Sequence, residues 1–253
     1  MSRVRGSAAR LTTGIILTTL LASGLTRSVG AQVASPDGRW TFTVTPYLLV
    51  PTMKGTSGIG DLQVDVHASP GDIFSHLQFG AMLLMEANNG TWGVAVDGIY
   101  MNLTQDGASD RISAEAGMKQ GALELTGFRR VTGWAEFLVG GRLNLLTAEL
   151  QTLGLQARSK SADQTWFDPF IGARLQVPNV GKWMLTLRGD VGGFGVGSDL
   201  AWQVVPKVGY RFSKLFELNA AYRVISMDYN QGDPAFLYDM RIFGPEIGLA
   251  FHF

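Results

Sequence analysis

Apolar and polar residues alternate with a period of two along most of the chain. Between positions 167 and 177 the odd residues are Phe167, Pro169, Ile171, Ala173, Leu175 and Val177, and the even ones are Asp168, Phe170, Gly172, Arg174 and Gln176. Trp183, Leu185, Leu187 and Val191 oppose Thr186, Arg188 and Asp190 in the same way, and the split recurs over 135–145, 200–212 and 216–224. Such alternation predicts strands with one apolar and one polar face. Helical spacing fits only 72–77, one short turn.

Two kinds of connection separate these strands. Asn88-Asn89-Gly90, the residues around Thr132-Gly133, 178–181 and Ser213-Lys214 have the composition of tight turns. Looser links fall between them, near 105–111, 151–163, 193–199 and 230–236. Short turns at one end and longer links at the other predict a closed antiparallel transmembrane β-barrel of the outer-membrane type, all-β and without a second domain, over residues 32–253. Ten strands are expected, starting near 39, 77, 91, 112, 133, 164, 182, 199, 215 and 237; eight and twelve are the neighbouring even counts. The alternating segment 59–67 would demand twelve if it crossed, and it is assigned to a long first external loop.

A soluble barrel would alternate too, with its apolar face inward, so the medium must be read from other features. The chain is 46% apolar and only 17% charged, against about 25% in an ordinary soluble domain, and it has just six Lys. Aromatic residues cluster toward strand ends on the apolar face (Trp40, Tyr47, Trp92, Trp183, Tyr210, Phe212, Phe216 and Tyr222), as an interfacial girdle would. Ile247, Leu249, Phe251 and Phe253 alternate to the last residue. That ending resembles the C-terminal signal by which outer-membrane barrels are read by the barrel-assembly machinery. Lipid is therefore expected against the apolar face, and outer-membrane lipid and lipopolysaccharide are the expected surroundings.

The N-terminus differs in kind. Residues 1–31 carry Arg3, Arg5, Arg10 and Arg27 with no acid, an apolar run over 11–25, and Val29-Gly30-Ala31. These are the three parts of a secretory signal peptide, cleaved after Ala31. The 15-residue run, with four Thr, is shorter than the roughly 20 residues that span a bilayer. Without those four bases the formal charge of zero becomes 17 bases against 21 acids, which makes nucleic acid an unsuitable partner. An exported chain with no Cys must hold its fold by burial and backbone pairing alone.

The stretch 188–213 and the ending 222–253, with Asp228-Tyr229 and Gly244-Pro245, resemble a family of small Gram-negative outer-membrane β-barrel proteins. Trp166-Phe167-Asp168-Pro169-Phe170 shares in that resemblance, as do Pro46-Tyr47 and Asp97-Gly98-Ile99-Tyr100 more weakly. The resemblance implies fold and cell outer-membrane location after secretion to the periplasm. It implies no biochemical activity.

Charged residues on the polar face are the candidates for function. Acids are Glu86, Asp97, Glu124, Glu136, Asp168, Asp190, Glu217, Asp228, Asp239 and Glu246; bases are Arg142, Arg174, Arg188, Lys207, Arg211, Arg223 and Arg241. In a narrow lumen they are expected to pair into a network that fills the barrel, because enclosed charges need partners. The alternative is a passive, mildly cation-preferring pore lined by the acid excess. A lipid-modifying barrel enzyme is a third reading, but His67, His76 and His252 are the only histidines, and none stands in a nucleophile arrangement. His67 and His76 with Asp65 and Asp72 form at best a weak metal motif, and no cofactor is expected. The GGFGVG run at 192–197 lacks the Lys and helix of a phosphate loop and is expected to be an external link. In the last strand, Asp239 and Arg241 face inward only if a residue is absorbed before Glu246, which predicts a bulge at Gly244-Pro245.

Overall fold

The computed structural model describes residues 38–59, 62–109, 112–153, 158–231 and 236–253. The expected leader at 1–31 lies outside them. Ten antiparallel strands close a barrel, with β1 (Thr41–Leu49) paired to both β4 (Leu77–Asn88) and β12 (Phe236–His252). Between β4 and β12 follow β5 (Trp92–Ser109), β6 (Ile112–Arg130), β7 (Ala135–Leu153), β8 (Arg158–Val180), β9 (Trp183–Gly193), β10 (Leu200–Arg211) and β11 (Phe216–Gln231), each paired with its sequence neighbours. These are the ten strands expected, with β8 starting six residues earlier because it continues past the level needed to cross a bilayer.

The segment assigned to the first external loop forms a hairpin, β2 (Thr52–Ile59) and β3 (Leu62–Ala68), followed by α1 (Pro70–Ser75). β2 takes over from β1 along the edge of β12 in the same register: Leu49 pairs with Glu246, and Thr52 with Phe243. Val50 and Pro51 separate the two stretches.

Neighbouring residues on one strand have opposite surroundings. Leu125 is 59% exposed on the outside, whereas Glu124 beside it is 4% exposed in the lumen. Phe137, Val139, Ile171, Leu185, Leu187, Leu218 and Ile247 are likewise exposed outward, and Glu136, Arg142, Asp168, Asp190 and Glu217 are buried inside. In water this arrangement would expose the apolar surface and bury the charge. In hydrocarbon it does neither harm, because a closed barrel also pairs its backbone without an edge. The barrel is thus of the outer-membrane type. Trp40, Trp92, Trp134, Trp183 and Phe253 stand exposed near the end where the short turns lie, with Trp183 edge-on to Tyr210 at 4.8 Å. The end of the chain closes the barrel there, since Phe253 and Phe42 exchange backbone hydrogen bonds of 2.8 and 3.1 Å. Ile247 and Phe253 are exposed outward, and Leu249 and Phe251 lie on the same face of β12.

Three expectations are corrected. Pairing of β11 with β12 runs unbroken from Phe216↔Phe251 to Gln231↔Phe236, so there is no bulge at Gly244-Pro245. Asp239 and Arg241 consequently face outward, as does Asp228, which pairs directly with Asp239 on the same side. The physical reason is height. These residues lie above the apolar belt, where the outside meets water and headgroups and tolerates charge. Tyr47, expected in the girdle, points inward with Thr43 and Thr45 and is buried.

Candidate functional site in the barrel lumen

The lumen is built in layers, each set by the inward residues of several strands. Nearest the short turns, Glu136 on β7 accepts from Arg130 at 2.7 Å and from Arg174 at 2.6 Å, and Arg174 also reaches Glu86 on β4 at 2.6 Å. Arg211 and His252 meet at Glu217, at 2.9 and 3.3 Å. Beneath them opens a vestibule of about 600 Å³ that Lys207 and Lys214 also line.

The next layer is denser. Arg142 bonds Glu124 at 2.7 Å and Asp190 at 3.1 Å, and Arg188 bonds the same two carboxylates at 2.5 and 3.0 Å. The ring of Phe170, 1% exposed, lies within reach of both guanidinium groups, 5.4 and 5.6 Å from them. It fits because Gly140 and Gly192 flank it: a Cβ on Gly140 would stand 2.5 Å from the ring, and one on Gly192 2.7 Å from the Phe170 Cβ. Arg223 pairs with Asp97 at 2.9 Å and Glu246 at 3.0 Å, and the Tyr47 hydroxyl donates to Asp97 at 2.6 Å. Gln203 joins the two groups, donating to Asp190 at 3.2 Å and accepting from Arg223 at 3.4 Å.

Among the described residues, four of these pairs cross between strands that are not neighbours, and the rest join adjacent strands or lie along one strand. Glu86 and Arg174 join β4 to β8, Glu124 and Arg188 join β6 to β9, and Asp97 and Arg223 join β5 to β11. Pairs within one wall would line a channel, but pairs between opposing walls fill it. Charge-assisted hydrogen bonds at these distances are also the strong kind.

Among the described residues, no cation forms an ion pair with Asp168. It is fully buried and accepts four hydrogen bonds, from Asn144 at 2.9 Å, the Trp166 indole at 3.1 Å, and the Ser198 amide and hydroxyl at 2.6 and 3.0 Å. The glycine-rich link between β9 and β10 therefore folds back so that Ser198 is buried in the barrel, and Phe194 takes a left-handed φ of 52° to make the turn.

Above lies an apolar roof. Trp166 stacks on Tyr229 at 4.6 Å and tilts against Tyr238 at 5.5 Å. Phe236, Met227, Met240, Ile242 and Met53 complete the cluster. Gln120 donates to the Tyr238 hydroxyl at 2.9 Å from the opposite wall.

Of the seventeen charged residues expected in the network, Glu86, Asp97, Glu124, Glu136, Arg142, Arg174, Arg188, Asp190, Arg211, Glu217, Arg223 and Glu246 are brought into ion pairs, and Asp228 faces outward. Asp168 is inside with neutral donors, Lys207 lines the vestibule, and Asp239 and Arg241 are outside. Arg130, Tyr47 and Gln203 were not foreseen. Arg130 sits in an Arg-Arg pair beside a turn, where alternation has no start from which to be counted. Tyr47 and Gln203 are polar partners whose side-chain type alone does not mark them as part of an ionic layer. His67, Asp72 and His76 line one cavity near α1, but no group of three ligating side chains among the described residues is placed to hold a metal ion.

No protein-family model matches the chain, and no curated protein sequence does. Solved structures of similar shape are barrels. The outer-membrane protease OmpT of Escherichia coli aligns over 89% of this chain and 100% of its own, with 11% identity and a TM-score of 0.48. The translocator domain of the autotransporter NalP of Neisseria meningitidis aligns over 87% and 91%, with 14% identity and a TM-score of 0.43. The attachment invasion locus protein Ail of Yersinia pestis aligns over 85% and 98%, with 10% identity and a TM-score of 0.39.

Proposed function

We propose that this chain is an integral outer-membrane barrel whose lumen is closed to solutes and whose role is structural or one of surface interaction. The observation that carries the reading is the set of ion pairs joining opposing walls, Glu86 to Arg174, Glu124 to Arg188 and Asp97 to Arg223. An ion crossing the barrel must break several enclosed pairs, each of which leaves an uncompensated charge. A second observation favours interaction at the cell surface. β5 to β8 have 18, 19, 19 and 23 residues, against the 9–11 that cross a bilayer, so their outer ends form a wall standing above the lipid. On this reading the leader 1–31 is removed on export, Phe253 is read by the assembly machinery, and no residue has a catalytic role.

Purified protein in planar lipid bilayers tests the closed lumen. No discrete conductance steps are expected from the native chain. Unitary steps would overturn the reading in favour of a pore.

A further inference from the structure

Between β1 and β4 the barrel wall is incompletely zipped. Their pairing runs from Thr41↔Asn88 to Pro46↔Leu83 and stops, although β1 continues to Leu49 and β4 begins at Leu77. Pro46↔Leu83 is the last pair of that ladder. Past it, the Leu49 amide donates to the Met82 thioether at 3.1 Å instead of to a carbonyl. Sulfur is a weak acceptor, so this donor is poorly satisfied in a wall that faces hydrocarbon, where each unpaired backbone group is costly. On its other side β1 stays paired to β12 through Leu49↔Glu246. That ladder is interrupted at Thr45 and Pro46 but resumes from Tyr47 to Leu49, whereas at the seam with β4 the pairing does not resume.

The short helix α1 wedges the seam. Ser69 and Asp72 form a reciprocal cap at its start, Ile73 is buried on the inner side, and Phe74 is exposed on the outer. Behind the wedge is a cavity of about 70 Å³ lined by Leu48, Leu49, Ile73, Leu77, Met82 and Met101. Leu49 and Met101 also line a second cavity of about 50 Å³ inside the barrel, together with Ala122, Ile225 and Met227. Its floor is Arg142 and Arg223, and Met227 and Ile242 belong to the aromatic roof. Leu49 and Met101 are thus the common wall between the cavity at the seam and a chamber between the ion-pair layer and the roof.

We infer that the seam between β1 and β4 admits the hydrocarbon tail of an outer-leaflet lipid, whose last carbons occupy the apolar chamber beneath the Trp166 roof. The occupant follows from the surroundings. Leu48, Phe74, Phe79 and Leu83 at the outer lip are exposed and continuous with the lipid-facing belt, so acyl chains are the medium that bathes the seam. Methyl and thioether groups line the outer cavity and the upper side of the chamber, and the charged residues at the chamber's floor, Asp97, Glu124, Arg142 and Arg223, are already bonded to one another, so a polar solute gains little in place of its lost hydrogen bonds. Met82, Met101 and Met227 can repack, since unbranched thioether side chains adapt to irregular gaps at low cost. The two small cavities can therefore merge around a chain. This inference rests on the membrane reading and goes beyond it: a barrel closed to ions along its axis is open to lipid through its wall.

The test uses Trp166, which is buried in the roof, against Trp183, which is exposed on the outside. Two variants of the full chain, each keeping one of these Trp and carrying Phe in place of the other five, are folded into phosphatidylcholine vesicles with or without bromine at the chain ends. Bromine is expected to quench Trp166 at least about twofold, as a site filled in most molecules requires. Quenching should disappear when the seam is locked by a Leu49→Cys/Met82→Cys disulfide, return on reduction, and disappear also in Ala122→Phe, which fills the chamber. The chain has no other Cys. Equal Trp166 emission in both vesicles overturns the inference, as does quenching that survives both closures. Trp183 separates the two levels of failure when read in a second set of vesicles brominated near the headgroups, the level of the girdle in which it stands: if it is bright there, lipid does not bathe the wall and the membrane reading itself falls.

Discussion

The lower and upper halves of β12 carry opposite distributions in one unbroken strand. Toward the end of the chain, Ile247, Leu249 and Phe251 face outward, while Glu246, Gly248, Ala250 and His252 face the lumen. Toward the other end, Asp239 and Arg241 face outward, while Phe236, Tyr238, Met240 and Ile242 are buried inside. No side chain changes face between the halves, because the register with β11 never slips. What changes is the medium. At lipid height, charge can be hidden only inward, and it is paired there; above the lipid, the outside is wet, and the apolar groups turn inward as in a soluble protein. Arg241 over Trp202 at 5.7 Å and Lys54 over Phe243 at 5.9 Å mark the boundary, each a cation resting on an aromatic ring.

Substitutions can break that contrast, most severely from inside the lower half. Arg142→Met leaves Glu124 and Asp190 each with one guanidinium fewer in a buried layer, and is expected to destabilise the barrel by about 3–5 kcal/mol in urea unfolding from vesicles. Putting charge on the outside of that half comes next. Leu125→Arg should cost about 2–4 kcal/mol by the same measurement, the penalty of a cation near mid-bilayer. Ser198→Ala leaves Asp168 with two donors fewer than four only if the backbone turn also moves. With the turn intact one hydroxyl bond is lost, and about 1 kcal/mol is expected. The smallest effect sharpens the comparison most: Arg241→Leu, on the same outer face as Ile247 but above the lipid, should shift stability by no more than about 0.5 kcal/mol. A loss as large as that of Leu125→Arg would place Arg241 within the lipid belt or tie it to a partner.

The strands were legible in the sequence because a two-sided wall between lipid and lumen must alternate, and Leu185, Leu187 and Val191 against Thr186, Arg188 and Asp190 do so without exception. The ion-pair layer was legible as a set of inward charges, though not as particular pairs, since Glu86 and Arg174 lie 88 residues apart and meet only on closure. Asp239 and Arg241 were misread by equating polar with inward, an equation that holds only at lipid height. Tyr47 carried a usable signal: Thr43 and Thr45 share its parity, and Val44 and Pro46 occupy the other. β2 carried none. Its Lys54-Gly55-Thr56-Ser57-Gly58 run has no apolar period and becomes a strand because β12 offers it an edge. The seam was likewise out of reach, since it is defined by pairs that fail to form.

The central claim is that hydrocarbon bathes the lower outer face of β12 and water the upper. With no native Cys, single Cys substitutions at Asp239, Arg241, Ile247, Leu249 and Phe251 can each carry a nitroxide in lipid vesicles. Collision rates with dissolved oxygen and with a water-soluble nickel chelate are then compared. The account predicts oxygen dominance at the three lower positions and chelate dominance at the two upper ones. Chelate access at Ile247, Leu249 and Phe251 would contradict it.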